Sequence, residues 1–371
     1  MILISGHGQI IGNGYIEANA SNLIEFLNVK KVSIIQVIHS MDPKIDSLIN
    51  YYVEGKLIKT EKLVIPIKFV PFRYLFEILR TVSFFLSVKN KEAINYFIGI
   101  DPLNAFIGIL LKKMKVVKKT IFHTPDYSEK RFENNLLDKI YHFVDFYSAK
   151  KSDCVWNVSK KILEVRVRQG VAKKKLFVVS NIPCLVSDFV ELKKNKFILI
   201  TLGQLSEQLD FDNLFIAIKD VSKKYPVKLI IVGDGPKKQE LIDKTKSMKI
   251  NHLVKFVGRK PHEKALKLIS NSGIGLALYT KNWAFNLYGD SAKCREFFAF
   301  GLPIVTTKNH ATIDDIIKYS PGMVCEMDSK EYANAIIKIL KNYSFYSKKS
   351  FLLHKKRFVE KKEIIDKLCL T

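Results

Sequence analysis

Cysteine is scarce and scattered in this chain. The five residues, Cys154, Cys184, Cys294, Cys325 and Cys369, form no CxxC pair and have no histidine-rich partner pattern. That distribution argues against a disulfide framework and against a zinc site. Each reads as a small, softly hydrophobic side chain. A long apolar run free of charge is also missing, so no transmembrane helix is expected. The opening stretch Met1-Ile2-Leu3-Ile4-Ser5-Gly6 has no basic region and no small-residue cleavage site; it reads as a first strand rather than a signal peptide, and a cytoplasmic location is expected. No clustered Asp/His set suggests a metal, and no evident carboxylate pair suggests a glycosidase.

Acidic residues are in short supply. Lys and Arg number 61 against 36 Asp and Glu, a formal net charge of +25. A lysine-rich solvated surface, attraction to anionic lipid, and nucleic-acid binding all fit such a balance. The lysines are spread along the whole chain without a basic tail, and no nucleic-acid motif appears. No nucleic-acid partner is therefore expected. The solvated surface ranks first, and an anionic membrane surface second.

With 371 residues and 47% hydrophobic content, the chain is long enough for two domains, each with a sizeable core. Buried-type apolar strands alternate with helical stretches in two series. The first includes Ile2–Ser5, Val32–Ile38, Leu63–Phe69, Tyr96–Ile100, Lys119–His123, Cys154–Val158 and Phe177–Ser180 as strands, with helices expected near 17–27, 74–88 and 136–149. Asn181-Ile182-Pro183 breaks the pattern. The second series restarts at Phe197–Leu202 and runs through Val227–Val232, Val254–Val257, Ile274–Leu278, Ile304–Thr306 and Met323–Cys325. Strands alternating with helices of this length predict an α/β fold with parallel sheets covered on both faces. The expected division is 1–182 and 183–348, with a basic C-terminal helix over about 349–371 packing back on the first domain. In open α/β sheets ligands sit at the carboxyl ends of the strands, so a shared substrate is expected between the domains.

The most informative segment is Gly289-Asp290-Ser291-Ala292-Lys293-Cys294-Arg295-Glu296-Phe297-Phe298-Ala299-Phe300-Gly301-Leu302-Pro303-Ile304-Val305-Thr306-Thr307. It reads as a small-residue loop, a short helix, a Gly-Leu-Pro break and a buried strand. A helix N-terminus presents unpaired N–H groups and the positive end of a dipole, which suits a phosphate. Lys293 and Glu296 lie three apart and share one helix face. One can approach a phosphate while the other accepts hydrogen bonds from sugar hydroxyls.

Four segments, in order, carry a resemblance to the GT-B-fold glycosyltransferases, specifically the retaining glycosyltransferase family 4 class. They are Asp153–Ser159 with Gly170-Val171 and Val178–Asn181; Lys228–Pro236; Val254–Gly258; and Ser291–Val305. The resemblance is looser over residues 1–120. It implies two Rossmann-like domains facing across a cleft. It also implies sugar transfer, with retention of configuration, from a nucleotide-sugar to a glycan or lipid-linked acceptor. The nucleotide-sugar is then a co-substrate, and no metal or other cofactor is implied. By the same resemblance Glu296 accepts hydrogen bonds from the ribose and Lys293 lies near the donor phosphates. Ser291 and Ala292 offer backbone N–H groups, and the backbone at Arg259 lines the base pocket. Gly203, Gln204 and Gly233 sit in the donor-side turns. His123 contacts the transferred sugar, with Asp126 on the acceptor side. Gly12, Asn13 and Gly14 let the first loop approach the substrate closely.

Two places depart from the family pattern. An arginine and a lysine that clamp the donor diphosphate in many members correspond here to Gln204 and Leu209, neither of which is charged. The first glutamate of a paired-glutamate motif falls at Tyr288, leaving Asp290, two residues on, as a candidate sugar contact. Lys293, Arg259 or Lys260 supplying the missing charge is one explanation. An unusual donor with less charge is a second. A non-catalytic sugar-nucleotide-binding or scaffold protein on the same fold is a third. The segment 66–86, rich in aromatics with interspersed basic groups, fits either a buried helix or a membrane-interface helix near the inner face of a membrane that receives a lipid-linked acceptor.

Overall fold

A computed structural model describes the chain except for residues 12–13, 17–22, 28–31, 68, 90–93, 185–194, 282–286 and 370–371. It divides into two compact units, Met1–Ser180 with Lys361–Thr371, and Asn181–Glu360.

The first unit is built on a nine-stranded sheet. Its strands are β1 (Ile2–Ile11), β2 (Gly14–Ile16), β3 (Ile34–Ser40), β4 (Ser47–Val53), β5 (Lys56–Leu63), β6 (Tyr96–Ile100), β7 (Lys119–Thr124), β8 (Cys154–Asn157) and β9 (Leu176–Val178). The order is β5-β4-β3-β1-β6-β7-β8-β9, with β2 paired to β1. From β3 through β1 to β9 the pairing is parallel, with Ile2 opposite both Ile34 and Tyr96. β3 and β6 are buried along their whole length, as expected of strands covered on both faces. Helices α1 (Val70–Lys89), α2 (Pro102–Lys113), α3 (Asn135–Lys151) and α4 (Lys160–Arg168) accompany this sheet. Helix α2 packs against β6, β7 and both flanking helices, α1 and α3.

One expectation is corrected here. The strand read at Leu63–Phe69 ends at Leu63, and an antiparallel hairpin, β4–β5, precedes it. Its turn is Glu54-Gly55, both at positive φ (48° and 82°), the geometry a two-residue hairpin requires. The hairpin escaped sequence reading because β5 is an exposed edge strand, Lys-Leu-Ile-Lys-Thr-Glu-Lys-Leu, whose charges blunt the apolar signal. Pro66 lies beyond it and cannot donate to a ladder. The helix expected from residue 74 begins at Val70.

The second unit carries a six-stranded, wholly parallel sheet, in the order β12-β11-β10-β13-β14-β15. Its strands are β10 (Ile198–Leu202), β11 (Lys228–Val232), β12 (Val254–Gly258), β13 (Ile274–Ala277), β14 (Ile304–Thr307) and β15 (Gly322–Cys325). The helices are α5 (Phe211–Ser222), α6 (Lys238–Ser247), α7 (His262–Ser270), α8 (Ala292–Ala299), α9 (Ile313–Tyr319) and α10 (Ser329–Lys341). The last helix, α11, runs over Tyr343–Cys369 and starts six residues before the expected 349. One continuous core runs from Leu199 to Leu353, with Phe215, Phe297, Phe298 and Tyr332 fully buried. The strand order reverses direction at β10, where β11 lies on one side and β13 on the other, so the carboxyl end of β10 is a topological switch point.

Candidate functional site

In the second unit the switch point is closed by glycine turns. Gly203 follows β10 at φ 140° and Gly233 follows β11 at φ 151°. A Cβ on Gly233 would lie 1.8 Å from the Gly203 carbonyl oxygen, so only glycine fits. The Gly203 N–H donates to Val232 and the Gly233 N–H to Gly258, tying three strand ends together.

Lys293, in the first turn of α8, leans against this knot. Its Nζ would be 3.0 Å from a Cβ on Gly203, and Leu209 Cδ1 would be 3.8 Å away. The ammonium also sits over the Tyr279 ring, 4.8 Å from its centre. Among the described residues it has no carboxylate within ion-pair reach. Loss of water around it lowers its pKa to about 8, only partly offset by Cys294 and Glu296. Leu209 is buried in the core. The place beside Gly203 that position 209 leaves uncharged is therefore reached by the Lys293 ammonium instead.

Helix α8 starts at Ser291, whose Oγ accepts from the Cys294 N–H and shares a 2.7 Å hydrogen bond with the Tyr279 hydroxyl. The Ser291 N–H is not open as expected: it donates to Thr312 Oγ1 at 2.8 Å. The N–H groups of Ala292 and Lys293 are the first-turn donors left without an intrahelical acceptor.

Asp290, expected at the sugar, is committed elsewhere. Its carboxylate accepts from Arg295 Nε at 2.9 and 3.0 Å, from Thr312 Oγ1 at 2.9 Å and from the Asn181 N–H at 2.8 Å. Those donors use its accepting positions. Arg295 continues to Asp315 at 2.6 Å, and Asp315 also pairs with Arg357. Burial disfavours the Arg295 charge, but the two carboxylates outweigh it and raise its pKa further. Asp290 thus fixes the loop before α8. Asn181 is held by the same carboxylate.

Glu296 lies one turn beyond Lys293, partly buried, and His262 Nε2 at the start of α7 is 2.8 Å from its Oε1. Sequence reading missed His262; its place at a helix start, close behind Gly258, was the one available signal. Arg259 and Lys260, between β12 and α7, are exposed, as is Gln204.

In the first unit His123 lies near the carboxyl end of β7, buried, with no partner for Nδ1 among the described residues. Burial, reinforced by the Lys361 charge, pushes its pKa down to about 3, so the ring is neutral at any physiological pH. Asp126 is half-exposed and pairs with Arg131 Nη1 at 3.0 Å. Gly12 and Asn13 lie outside the described residues; Gly14 opens β2.

A second cluster, at the middle of β1 and just past the carboxyl end of β6, was not foreseen. His7 Nδ1 is 2.7 Å from Asp101, and Nε2 is 3.1 Å from Glu77 on α1. Arg73 Nε donates to the other Glu77 oxygen at 2.9 Å. Asp101 caps α2 through the Asn104 N–H and stands at φ 83°, a strained position for a side-chain-bearing residue. Burial opposes a charge on His7, but Asp101 and Glu77 prevail and raise its pKa to about 10. A ring held protonated throughout the neutral range is a poor general base; it acts as an ionic clip across β1, β6 and α1. Since the folded pKa exceeds the ordinary 6.5, the stabilisation is complete below pH 6.5 and is lost as pH rises through 10. His7→Gln should lower unfolding free energy by about 3 kcal/mol at pH 6, with the deficit against the parent shrinking by pH 10.5. Urea titrations at both pH values check this; a pH-independent deficit would refute the clip.

Among the described residues no group of three or more His, Cys, Asp or Glu could hold a metal, and no helix is long and apolar enough to cross a membrane.

Two Rossmann-like parallel-sheet domains in one α/β chain define the fold of the GT-B glycosyltransferases. Residues 187–363, just under half of the chain, match the family model of Glycosyl transferases group 1. Solved structures agree in fold. The Anabaena HepE protein, solved in complex with UDP, matches with a TM-score of 0.68 and 13% identity, each chain covered in full. The lipopolysaccharide outer core galactosyltransferase WaaB matches at 0.64 and 17% identity, over 99% of this chain and 100% of that one. Sucrose-phosphate synthase of Thermosynechococcus elongatus matches at 0.67 and 16% identity, over 97% and 94%. No curated protein matches the chain significantly in sequence.

Proposed function

We propose that this protein is a retaining, family 4-like glycosyltransferase that moves a sugar from a nucleotide-activated donor to a glycan or lipid-linked acceptor at the inner face of a membrane. The observation that carries the reading is Lys293: a partly desolvated ammonium without a carboxylate partner, beside glycine turns and the two open N–H groups of α8. An anion the size of a diphosphate satisfies all of these donors at once. Glu296 then takes the ribose hydroxyls, with His262 holding the carboxylate in place. Arg259 and its backbone border the base. UDP is the first nucleotide to test, because the HepE protein was solved with UDP and with UDP-glucose.

In this mechanism the sugar–phosphate bond breaks as charge grows on the leaving phosphate, and the preset ammonium and amides stabilise that charge in the transition state. The acceptor hydroxyl attacks from the same face and passes its proton to the departing phosphate oxygen, so neither a protein nucleophile nor a metal is needed. His123, neutral and with Nδ1 unpaired among the described residues, is suited to hydrogen-bonding a sugar hydroxyl.

The experiment is a thermal-shift screen with nucleoside diphosphates and their sugars. A ligand at 100 times its dissociation constant should stabilise the protein by about 2.7 kcal/mol. Glu296→Ala should abolish the shift. If no nucleotide shifts the melting curve, or if the variant responds like the parent, the donor site is wrongly placed. The uncharged positions Gln204 and Leu209 keep a second reading open, a binding protein without transfer; it predicts the shift but no release of nucleoside diphosphate with any acceptor.

A further inference from the structure

Helix α1 buries one face in the first unit, through Arg73, Glu77, Thr81 and Phe85. The opposite face is apolar and open: Phe72, Leu75 and Leu79, at spacings of three and four, are each at least half exposed. Helix α3 repeats the pattern, with Leu136, Ile140 and Phe143 exposed in one stripe.

The two stripes start from neighbouring points. Tyr74 of α1 packs edge-on against His7 and feels the charges of Asp101 and Arg131. Arg131 lies over Tyr141 of α3, which packs against Phe132. Both helices also pack against α2.

The charge on these helices is one-sided. Glu77 is buried against Arg73 and His7, and Asp145 is buried against Arg166. Asp138 accepts the N–H groups of Arg131 and Phe132. The α1 and α3 charges left in the open are cationic: Arg80, Lys139, Lys150 and Lys151. An apolar stripe bordered by cations, with its carboxylates turned inward, complements an anionic lipid surface: the stripes enter the headgroup–acyl boundary while the cations meet lipid phosphate.

We propose that the open faces of α1 and α3 form a docking surface for an anionic bilayer. The surface lies wholly within the first unit and deepens the membrane-face part of the proposed function; its argument does not use the donor site, so failure of vesicle binding leaves the donor reading standing.

The test is co-sedimentation of the full chain with vesicles of phosphatidylcholine alone and of phosphatidylcholine containing 30% phosphatidylglycerol, an order-of-magnitude choice of anionic content. Binding should appear only with phosphatidylglycerol and weaken with salt. The double variant Phe72→Glu/Leu75→Glu, at exposed positions, should bind at least about tenfold more weakly and keep the parent's melting temperature without ligand. Equal binding to both vesicle types, no binding to either, or undiminished binding of the variant overturns the proposal. So does a lipid-free dimer that the same variant dissociates, which would assign the faces to a second copy of the chain.

Discussion

Lys293→Met should weaken UDP binding by roughly 10–150-fold, the loss of one charge-assisted hydrogen bond worth about 1.5–3 kcal/mol. The substitution keeps the stem against Tyr279 and removes only the charge. In the ligand-free protein Lys293 has its pKa lowered to about 8, below its ordinary 10.5. Its charged form is thus the disfavoured one, so the empty fold gains stability as pH rises between 8 and 10.5, and the variant should melt no lower than the parent at pH 7. A bound phosphate reverses the balance, because it prefers the ammonium. Parent affinity should therefore fall above pH 8, by up to about tenfold per pH unit, while the variant shows no such fall. Isothermal titration at pH 7, 8 and 9 reads both effects. A variant within threefold of the parent at pH 7, or parallel pH profiles, would remove Lys293 from the phosphate site.

Arg295→Met should destabilise the second unit by about 3–5 kcal/mol, because it strands two buried carboxylates. Asp290 would keep Thr312 and the Asn181 N–H but lose its counter-charge, and Asp315 would keep Arg357 alone. For a unit of this size the melting temperature should drop by about 10 °C. Asp290→Asn, which retains an accepting oxygen but leaves Arg295 without one of its partners, should cost less than Arg295→Met and leave UDP binding measurable at low temperature. Calorimetry of both variants decides the matter; an Arg295→Met protein melting within 1–2 °C of the parent would show that the network does not anchor the loop before α8.

Much of the local geometry around α8 and the glycine turns was legible in the chain order. Ser291-Ala292-Lys293-Cys294-Arg295-Glu296 announces a helix start with Lys and Glu on one face, because both facts depend on local geometry alone. Gly203 and Gly233 were legible as strand-end turns for the same reason. The partners of Asp290 were not legible, because they are Arg295, Thr312 and Asn181, the last of them 109 residues away. Likewise, His7 finds Asp101 and Glu77 at separations of 94 and 70 residues, and no local pattern marks that meeting.

The sequence by itself determined the two α/β series, the break near residue 181 and the helix start that presents N–H groups, since apolar periodicity, caps and glycine turns act over a few residues. Only tertiary structure decided which charges remain available. Folding turned Asp290, Glu77 and Asp145 inward to buried cations, set Lys293 beside Gly203 where position 209 carries no charge, and left the outer faces of α1 and α3 apolar and cationic. Those outcomes follow from burial and counter-charge, which depend on segments far apart in the chain arriving at one place.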